Sequence, residues 1–171
     1  MFSTETTSES VLLGDIIQFG NGKSRPKISG SYPVYGGNGI LDYVDEYNAE
    51  NVVAIGRVGA YCGSVYIESQ KCWISDNAIS AKSKLSEYEY YDYFLLKSLN
   101  LFNYHVGTGQ QLLTQEILNK IVIPKPNMND IIRFNQLSNQ LFLTISANVF
   151  EIKHLRELKD IVLSRISKSS R

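Results

Sequence analysis

The feature that most constrains this chain is a long segment at its C-terminal end that contains no helix breaker. From Asn129 to about Lys168 there is no proline and no glycine, and these are the residues that most often interrupt a helix. Apolar residues recur there on a seven-residue repeat, which is typical of a coiled coil. The repeat is carried by Phe134, Leu141, Ile145, Ile152, Leu155, Val162 and Ile166. We therefore predict one long helix over residues 128–171.

The predicted helix is too long for a small domain to cover. About 40 residues at ~1.5 Å each make a helix of ~60 Å, so its apolar stripe needs a second helix as partner. Ser138, Asn148 and Lys159 occupy the remaining sites of the repeat, and polar residues at such sites fix the register at some cost in stability. We interpret the segment as a dimerisation and spacer helix. The alternative is an ordinary long helix lying across its own domain.

Residues 11–127 combine short strand patterns with one helical pattern. Glycines are frequent between Gly20 and Gly39, which indicates short strands joined by turns. β-Branched and aromatic residues mark further strands. These patterns cover residues 51–55, 63–67, 72–74, 78–82 and 121–123. The predicted fold class is α+β: a compact mixed domain with short twisted strands, preceded by a flexible polar tail over residues 1–10.

The helical pattern lies between the strand patterns and the long helix. The run from Ser86 to Glu89 fits a capping box, and apolar residues at helical spacing follow it, so we predict a helix over about 87–103. Thr114 is placed to cap a second, short helix that ends at Leu118. Pro124 and Pro126 then mark the boundary before the long helix.

Composition excludes several classes of protein. The N-terminal residues lack the basic and apolar regions of a secretory signal, and no stretch approaches the ~18 apolar residues of a membrane span, so we expect a cytoplasmic protein. Cys62 and Cys72 lack ligand partners at metal-binding spacing, and His105 and His154 are isolated. We therefore predict two buried thiols and no metal site.

Charge argues against tight DNA binding by the chain alone. The sequence has 17 basic and 17 acidic residues and a net charge of zero, whereas sequence-independent DNA affinity comes mostly from neutralising phosphates. A module that reads bases while a partner supplies positive charge remains compatible with this composition. A coiled-coil assembly protein whose head binds protein is the rival hypothesis, and a salt-dependent DNA shift would distinguish the two.

Several ordered motifs resemble one family, the DNA specificity subunits of type I restriction–modification systems. The segments that carry the resemblance are VLLGD (11–15), YPVYGGNGI (32–40), IGRVGAYCG (55–63), WISDNA (73–78), GTGQQ (107–111), LT (113–114) and IVIPKP (121–126). One local departure is Asp130-Ile131, near which family members often carry Glu-Gln. A complete subunit has two recognition domains and two helices, so this chain resembles a half-subunit, either a natural half-length form or a fragment of a two-domain subunit.

The resemblance implies a DNA reader without chemistry of its own. Each recognition domain would read one half of a split site in double-stranded DNA, and the helices would act as a spacer and bind methyltransferase subunits. Adenine methylation, its cofactor S-adenosylmethionine and DNA cleavage by a restriction subunit would belong to other chains. With one domain and one helix, we expect a homodimer through the C-terminal helix.

The candidate DNA-binding residues lie in turns and polar loops. Glycines at 36–39 either form a tight turn or let backbone approach the duplex, and the basic run at 23–27 is either a solvated loop or a phosphate or guanine contact. Arg57 would pair with Asp76 or face DNA. Glutamine suits bidentate contact with adenine. The full set is Lys23, Ser24, Arg25, Lys27, Tyr35, Asn38, Arg57, Asn77, Thr108, Gln110 and Gln111.

Two further interpretations concern what the chain does not use for DNA or catalysis. The sequence has no methyltransferase glycine signature and no Asn-Pro-Pro-aromatic motif, and Glu151-Ile152-Lys153 resembles a nuclease E-x-K only in the middle of a helical pattern. We therefore predict no catalytic residues. Tyr88, Tyr90, Tyr91 and Tyr93 interleave with acidic residues, which repel phosphate, so we interpret these tyrosines as core and partner surface.

Overall fold

The structure is a computed structural model and describes residues 9–169. Most of the predicted flexible tail, residues 1–8, lies outside the described residues. For residues 9 and 10 the prediction of a flexible tail is wrong, because Ser10 pairs with Pro124 in a strand. Glu9 is also held, since its backbone oxygen accepts from Lys125 N at 2.7 Å and its carboxylate pairs with Lys125 Nζ at 2.6 Å.

Along the chain a long run of strands is followed mainly by helices, which is an α+β arrangement and confirms the predicted fold class. The strands are β1 (Ser10–Leu12), β2 (Ile17–Asn21), β3 (Ser29–Gly36), β4 (Gly39–Val44), β5 (Val52–Gly56), β6 (Val65–Glu68), β7 (Trp73–Ile74), β8 (Ala78–Ser83) and β9 (Val122–Pro124). The α-helices are α1 (Leu13–Ile16), α2 (Glu89–Ser98), α3 (Gln115–Asn119) and α4 (Met128–Ser169). Short 3-10 turns occupy Gly59–Tyr61, Ser86–Tyr88 and Leu101–Tyr104.

Three small sheets build the head of the molecule. The largest has the strand order β2-β8-β5-β6 and is antiparallel throughout. The second has the order β4-β3-β7, in which β3 pairs antiparallel with β4 and parallel with β7. The third pairs β1 with β9 and so joins the start of the head to the segment just before α4.

Strand β5 lies between two apolar cores. All five of its residues are buried, and successive side chains of a strand point to opposite faces. Val53 and Ile55 pack into the main core, which also takes residues from α2, α3 and β9. Val52 and Ala54 pack into a second core shared with β3 and β7. Burial on both faces explains why this strand is an unbroken apolar run.

The second core and the main core also hold the two cysteines. Cys72 is fully buried and Cys62 is 3% exposed, and both are free thiols. Burial raises the pKa of the Cys72 thiol to about 12. The prediction of buried thiols is confirmed.

The predicted helix over 87–103 is shorter than its pattern suggests. A 3-10 turn over Ser86–Tyr88 precedes α2, so the N-cap position of α2 is Tyr88 and not the predicted Ser86. At the other end Asn100 has φ 46°, a left-handed conformation that asparagine tolerates and that ends a helix. The predicted cap of α3 is confirmed, since Thr114 Oγ1 accepts from Ile117 N at 3.3 Å.

Helix α4 docks on the head through an aromatic surface of α2. The ring of Tyr90 stacks on Phe142 with centroids 4.5 Å apart, and Phe94 meets Phe134 edge-on at 5.5 Å. Asn135 Oδ1 accepts from Tyr90 N at 2.9 Å. The tyrosine-rich segment is therefore the surface on which the long helix packs, in keeping with its interpretation as core and partner surface.

Beyond Phe142 the long helix leaves the head. Residues 143–167 are all exposed, a length of ~37 Å at ~1.5 Å per residue. The residues of the apolar repeat are exposed as well. Six of the seven are 46–65% exposed, and Phe134 is 38% exposed. Phe134 differs from the rest because it also contacts Tyr91 and Phe94 of its own head. The alternative of a helix lying across its own domain is wrong for residues 143–167.

The packing of α4 on α2 leads to a first prediction. Phe142→Ala is expected to lower the free energy of unfolding by about 1–3 kcal/mol, because it removes a partly buried ring from three aromatic neighbours. Phe150→Ala is the matched control, since Phe150 is 63% exposed and should change stability by no more than ~0.5 kcal/mol. Urea unfolding measures both. Equal losses in the two variants would contradict this account of docking.

Candidate nucleic-acid interface

Four turns and loops that are distant in sequence meet at one place on the head. Arg57 N donates to Asn77 O at 3.0 Å, and Gly59 N donates to Gln111 O at 3.0 Å. Ser64 Oγ donates to the carbonyl oxygen of Gly37. These bonds join the β3–β4 turn, the segment after β5, the turn before β8 and the loop before α3. We call this surface the loop face and define it as residues 37–38, 57–62, 75–77 and 107–111.

The loop face presents amide and hydroxyl side chains to solvent. Asn38, Asn77, Thr108 and Gln110 are exposed, and Gln111 is half-buried. Their backbones are tied to the fold, because Val106 and Leu112 exchange two hydrogen bonds of 2.9 Å at the base of the last loop. The structure thus brings together residues that the sequence places as far as 73 positions apart (38 to 111).

The turn that carries Asn38 requires a glycine at position 39 because of its backbone conformation. Gly39 has φ 77°, a conformation that costs other residues strain, and it pairs with Gly36 to close the β3–β4 hairpin. The tight-turn interpretation of residues 36–39 is therefore correct. The turn leaves Asn38 exposed at its tip.

Tyr35 is a correction to the predicted DNA-binding set. Its side chain is only 6% exposed and belongs to the second core. Its hydroxyl donates to Glu68 Oε2 at 3.0 Å, and burial together with that carboxylate raises the pKa of Tyr35 far above its usual value. A buried hydroxyl that already has an acceptor is not available to DNA, so Tyr35 supports the hairpin from within.

The basic run adjoins the loop face, because Lys23 forms a parallel bridge with Ser75, and it continues beside the second sheet. Lys23, Ser24, Arg25 and Lys27 are all exposed, and Lys23 is anchored because its backbone oxygen accepts from Trp73 Nε1 at 3.1 Å. The sequence shows no acid close by, but Asp42 of β4 pairs with Arg25 Nη1 at 2.9 Å. Both partners are about half exposed, and such surface pairs contribute at most ~1 kcal/mol, so Arg25 can leave Asp42 for a phosphate or a base.

Arg57 lies at the junction of three of the four loops and has no counter-ion. Among residues 9–169 it makes no ion pair, with Asp76 or with any other acid, so of the two alternatives left open by the sequence, pairing with Asp76 is wrong. Its side chain is half-buried, and its Nε atom is buried without a hydrogen-bond partner.

Sequence reasoning missed two residues at the loop face. Tyr61 is 51% exposed and stands next to the β3–β4 turn, where a Cβ atom on Gly37 would lie 3.4 Å from Tyr61 Cβ. Ser75 is 3% exposed, and its Oγ atom has no partner in the described structure. The signal for Tyr61 was present, because an aromatic residue in a glycine-flanked turn is commonly surface-exposed.

Other classes of site find little support in the described residues. Within residues 9–169 no group of three His, Cys, Asp or Glu side chains is arranged to hold a metal ion. His105 Nδ1 lies 2.6 Å from Phe102 O, and His154 packs on the ring of Phe150 with centroids 4.3 Å apart. In the same part of the chain, no helix has the length and apolar character needed to cross a membrane.

Comparison with known families decides between these possibilities. Residues 5–160 match the family model for the type I restriction modification DNA specificity domain. The chain belongs to this family. Within curated proteins, a putative type I restriction enzyme specificity subunit from Haemophilus influenzae is 29% identical over 113 residues, which are 63% of this chain and 29% of that protein.

Solved specificity subunits share the fold. The S subunit of a type I restriction–modification system from M. genitalium superposes with a TM-score of 0.65 at 17% identity, over 80% of this chain and 40% of that one. The HsdS subunit from Thermoanaerobacter tengcongensis superposes at 0.54 with 18% identity, over 85% of this chain and 40% of that one. This specificity-family chain thus spans 29% of the curated relative and about 40% of the solved subunits.

Proposed function

We propose that this chain reads one half of a bipartite site in double-stranded DNA and performs no chemistry on it. The observation that carries this proposal is the loop face, where exposed Asn38, Asn77 and Gln110 side chains stand together on loops tied by backbone hydrogen bonds. Asparagine and glutamine amides can pair bidentately with the edge of adenine in the major groove. Loops held in place lose little conformational entropy on binding.

The proposal assigns catalysis and much of the affinity to partner subunits. A net charge of zero leaves this chain with little general attraction for phosphates. Methyltransferase subunits would supply positive charge, S-adenosylmethionine and the residues that methylate adenine, and a restriction subunit would cleave. The chain would recruit them and select the site.

A second copy of the chain is the proposed partner of the exposed helix. The described apolar repeat beyond Phe142 is exposed to solvent, and Ile145, Ile152 and Leu155 are 48–57% exposed. Two copies packed antiparallel would bury the stripe and hold the heads at opposite ends. A two-fold pair of this kind is the commonest dimer symmetry. Identical heads would then read identical half-sites, which makes the target palindromic with an unread gap set by the helix.

DNA binding with and without the methyltransferase tests the reader hypothesis. In ~150 mM salt we expect weak binding by the chain alone and sequence-specific binding once its methyltransferase is present. The site itself follows from methylome sequencing of cells that express both proteins. Nanomolar specific binding by the lone chain would contradict the charge argument. A complex that forms but shifts no DNA at any salt concentration would instead favour the assembly protein.

Single substitutions test the site. Gln111→Ala and Arg25→Ala are each expected to weaken specific binding by the complex, because one base-edge contact contributes ~1–3 kcal/mol of discrimination. Neither change should alter stability by more than ~0.5 kcal/mol, since both side chains lie in surface loops. Gln70→Ala, at an exposed turn outside the loop face, is the matched control. Unchanged affinity and site preference in both variants would refute the site and leave the family assignment intact.

A further inference from the structure

We infer that Arg57 is a phosphate anchor: its guanidinium binds a phosphodiester of the DNA backbone and supplies affinity without reading sequence. The inference rests on the proposed function, because it requires the loop face to meet DNA. It assigns different tasks to neighbouring residues, since the amide side chains around Arg57 would read bases.

The backbone of Arg57 is fixed on both sides. Its N–H donates to Asn77 O at 3.0 Å, and its carbonyl oxygen accepts from Leu113 N at 2.9 Å. Cys62 Sγ donates to the same oxygen at 3.4 Å. The backbone of Arg57 therefore fixes segment 57–62 relative to segment 75–77 and to the chain just after the 107–111 loop. A ligand held by its side chain would be held in a defined place relative to all three.

The charge of Arg57 is uncompensated where it stands. The head has two arginines, Arg25 and Arg57, and Arg25 pairs with Asp42 at 2.9 Å. Arg57 has no acid within ion-pair distance among residues 9–169, and its Nε is buried without an acceptor. Removing a cation from water costs free energy unless an anion or several acceptors replace the lost hydration. In the described part of the chain no acid pairs with Arg57 and no acceptor reaches its Nε, which points to an anionic ligand.

A phosphodiester fits this site better than a base edge does. Within residues 37–38, 57–62, 75–77 and 107–111, all of which the structure describes, Arg57 is the one basic residue and Asp76 the one acid. A phosphate carries a full negative charge and two oxygens that match the guanidinium fork. The acceptors of guanine offer only partial charges, so they would compensate a half-buried cation less completely.

The salt dependence of DNA binding distinguishes the two kinds of contact. In the complex with methyltransferase, Arg57→Ala is expected to weaken binding to specific and non-specific DNA by a similar factor, about tenfold. The slope of log affinity against log salt should fall in magnitude by about 1, as for the loss of one phosphate contact. Arg57→Lys should retain the wild-type slope and most of the affinity. Lys120→Ala is the control, because Lys120 is an exposed lysine outside the loop face, directly after α3, and it should leave the slope unchanged.

Each other outcome has a defined meaning. Lost discrimination at a single base pair with an unchanged slope would make Arg57 a base reader and overturn the inference. Unchanged affinity and slope would show that Arg57 does not touch DNA and would also overturn it. If thermal unfolding shows that the alanine variant does not fold, Arg57→Gln takes its place, since it keeps a polar side chain without the charge. Failure of the wild-type complex to bind DNA would instead refute the proposed function.

Discussion

Replacing Ile145 and Ile152 together with aspartate is expected to convert a dimer of this chain into monomers. Both residues lie on the apolar repeat and are 53% and 48% exposed in the single chain, so a second helix would bury them. Four carboxylates in such an interface would each lose hydration without gaining a partner. We expect the dissociation constant to rise by at least ~100-fold, about 2.7 kcal/mol. Light scattering should fall from twice the 19.3 kDa chain mass to that mass.

The matched control uses the opposite side of the same helix. Leu143 and Phe150 are each 63% exposed and lie two residues before Ile145 and Ile152, which is ~200° away around the helix axis. The double variant Leu143→Asp, Phe150→Asp should therefore stay dimeric. A wild-type chain that is monomeric at tens of micromolar would contradict pairing with a second copy. An asymmetric methylated site would contradict the palindromic target that this pairing requires.

The stability of the protein is expected to fall as pH rises from about 4 to about 7, because of one buried carboxyl. Asp92 is 2% exposed; Ser83 Oγ donates to its Oδ2 at 2.6 Å, and its Oδ1 has no partner in the described structure. Burial raises the pKa of Asp92 to about 7. An unfolded aspartate titrates near ~3.9, so the native state favours the protonated form.

The sign of this effect follows from proton linkage. Between the two pKa values the native state holds a proton that the unfolded state has released, so unfolding becomes easier with each rise in pH. One pKa unit corresponds to ~1.4 kcal/mol, which makes the whole effect a few kcal/mol. Stability is retained below the unfolded value and is lost by the time pH passes the folded value near 7.

Asp92→Asn should remove this part of the pH dependence. Its amide oxygen can still accept from Ser83 Oγ, and it has no charge to bury. Urea unfolding at pH 5 and pH 8 should show a loss of roughly 2–4 kcal/mol in the wild type that the variant lacks. Burial also raises the pKa of Glu89, which acts in the same direction in both proteins. Asp160→Asn, at an exposed site, should behave like the wild type. Identical profiles for Asp92→Asn and the wild type would exclude Asp92 as the cause.

Local sequence pattern was sufficient to predict several of the helices and strands, but not all of them. The proline-free and glycine-free segment predicted α4 because a helix repeats every few residues, so its evidence is contiguous in sequence. The apolar run predicted over 51–55 is β5 at Val52–Gly56, and the segment predicted over 78–82 is β8 at Ala78–Ser83. The long strands β3 and β4 were hidden among glycines, because their pairing depends on a turn geometry that the alternation of side chains does not reveal.

Errors at the candidate site came from contacts between distant residues. Tyr35 was predicted to be available for DNA, but its acceptor is Glu68, 33 residues away. Arg25 was taken to lack a nearby acid, but Asp42 reaches it from 17 residues away. Asp76 was an open alternative as the partner of Arg57, but no ion pair joins the two residues. A side chain's exposure and partners depend on the packing of sheets, and sequence spacing carries no information about that packing.

By itself the sequence determined the family, the α+β class and a helix whose apolar stripe exceeds what the head can cover. These depend on ordered motifs and periodicity, which are local properties of the chain. Only the tertiary structure decided at which residue the apolar stripe leaves the head and is exposed to solvent, because that residue depends on the packing of Phe142 against Tyr90. Only the tertiary structure brought four loops to one face, since the hydrogen bonds that join Arg57 to Asn77 and Leu113 exist once β5 and β8 are paired.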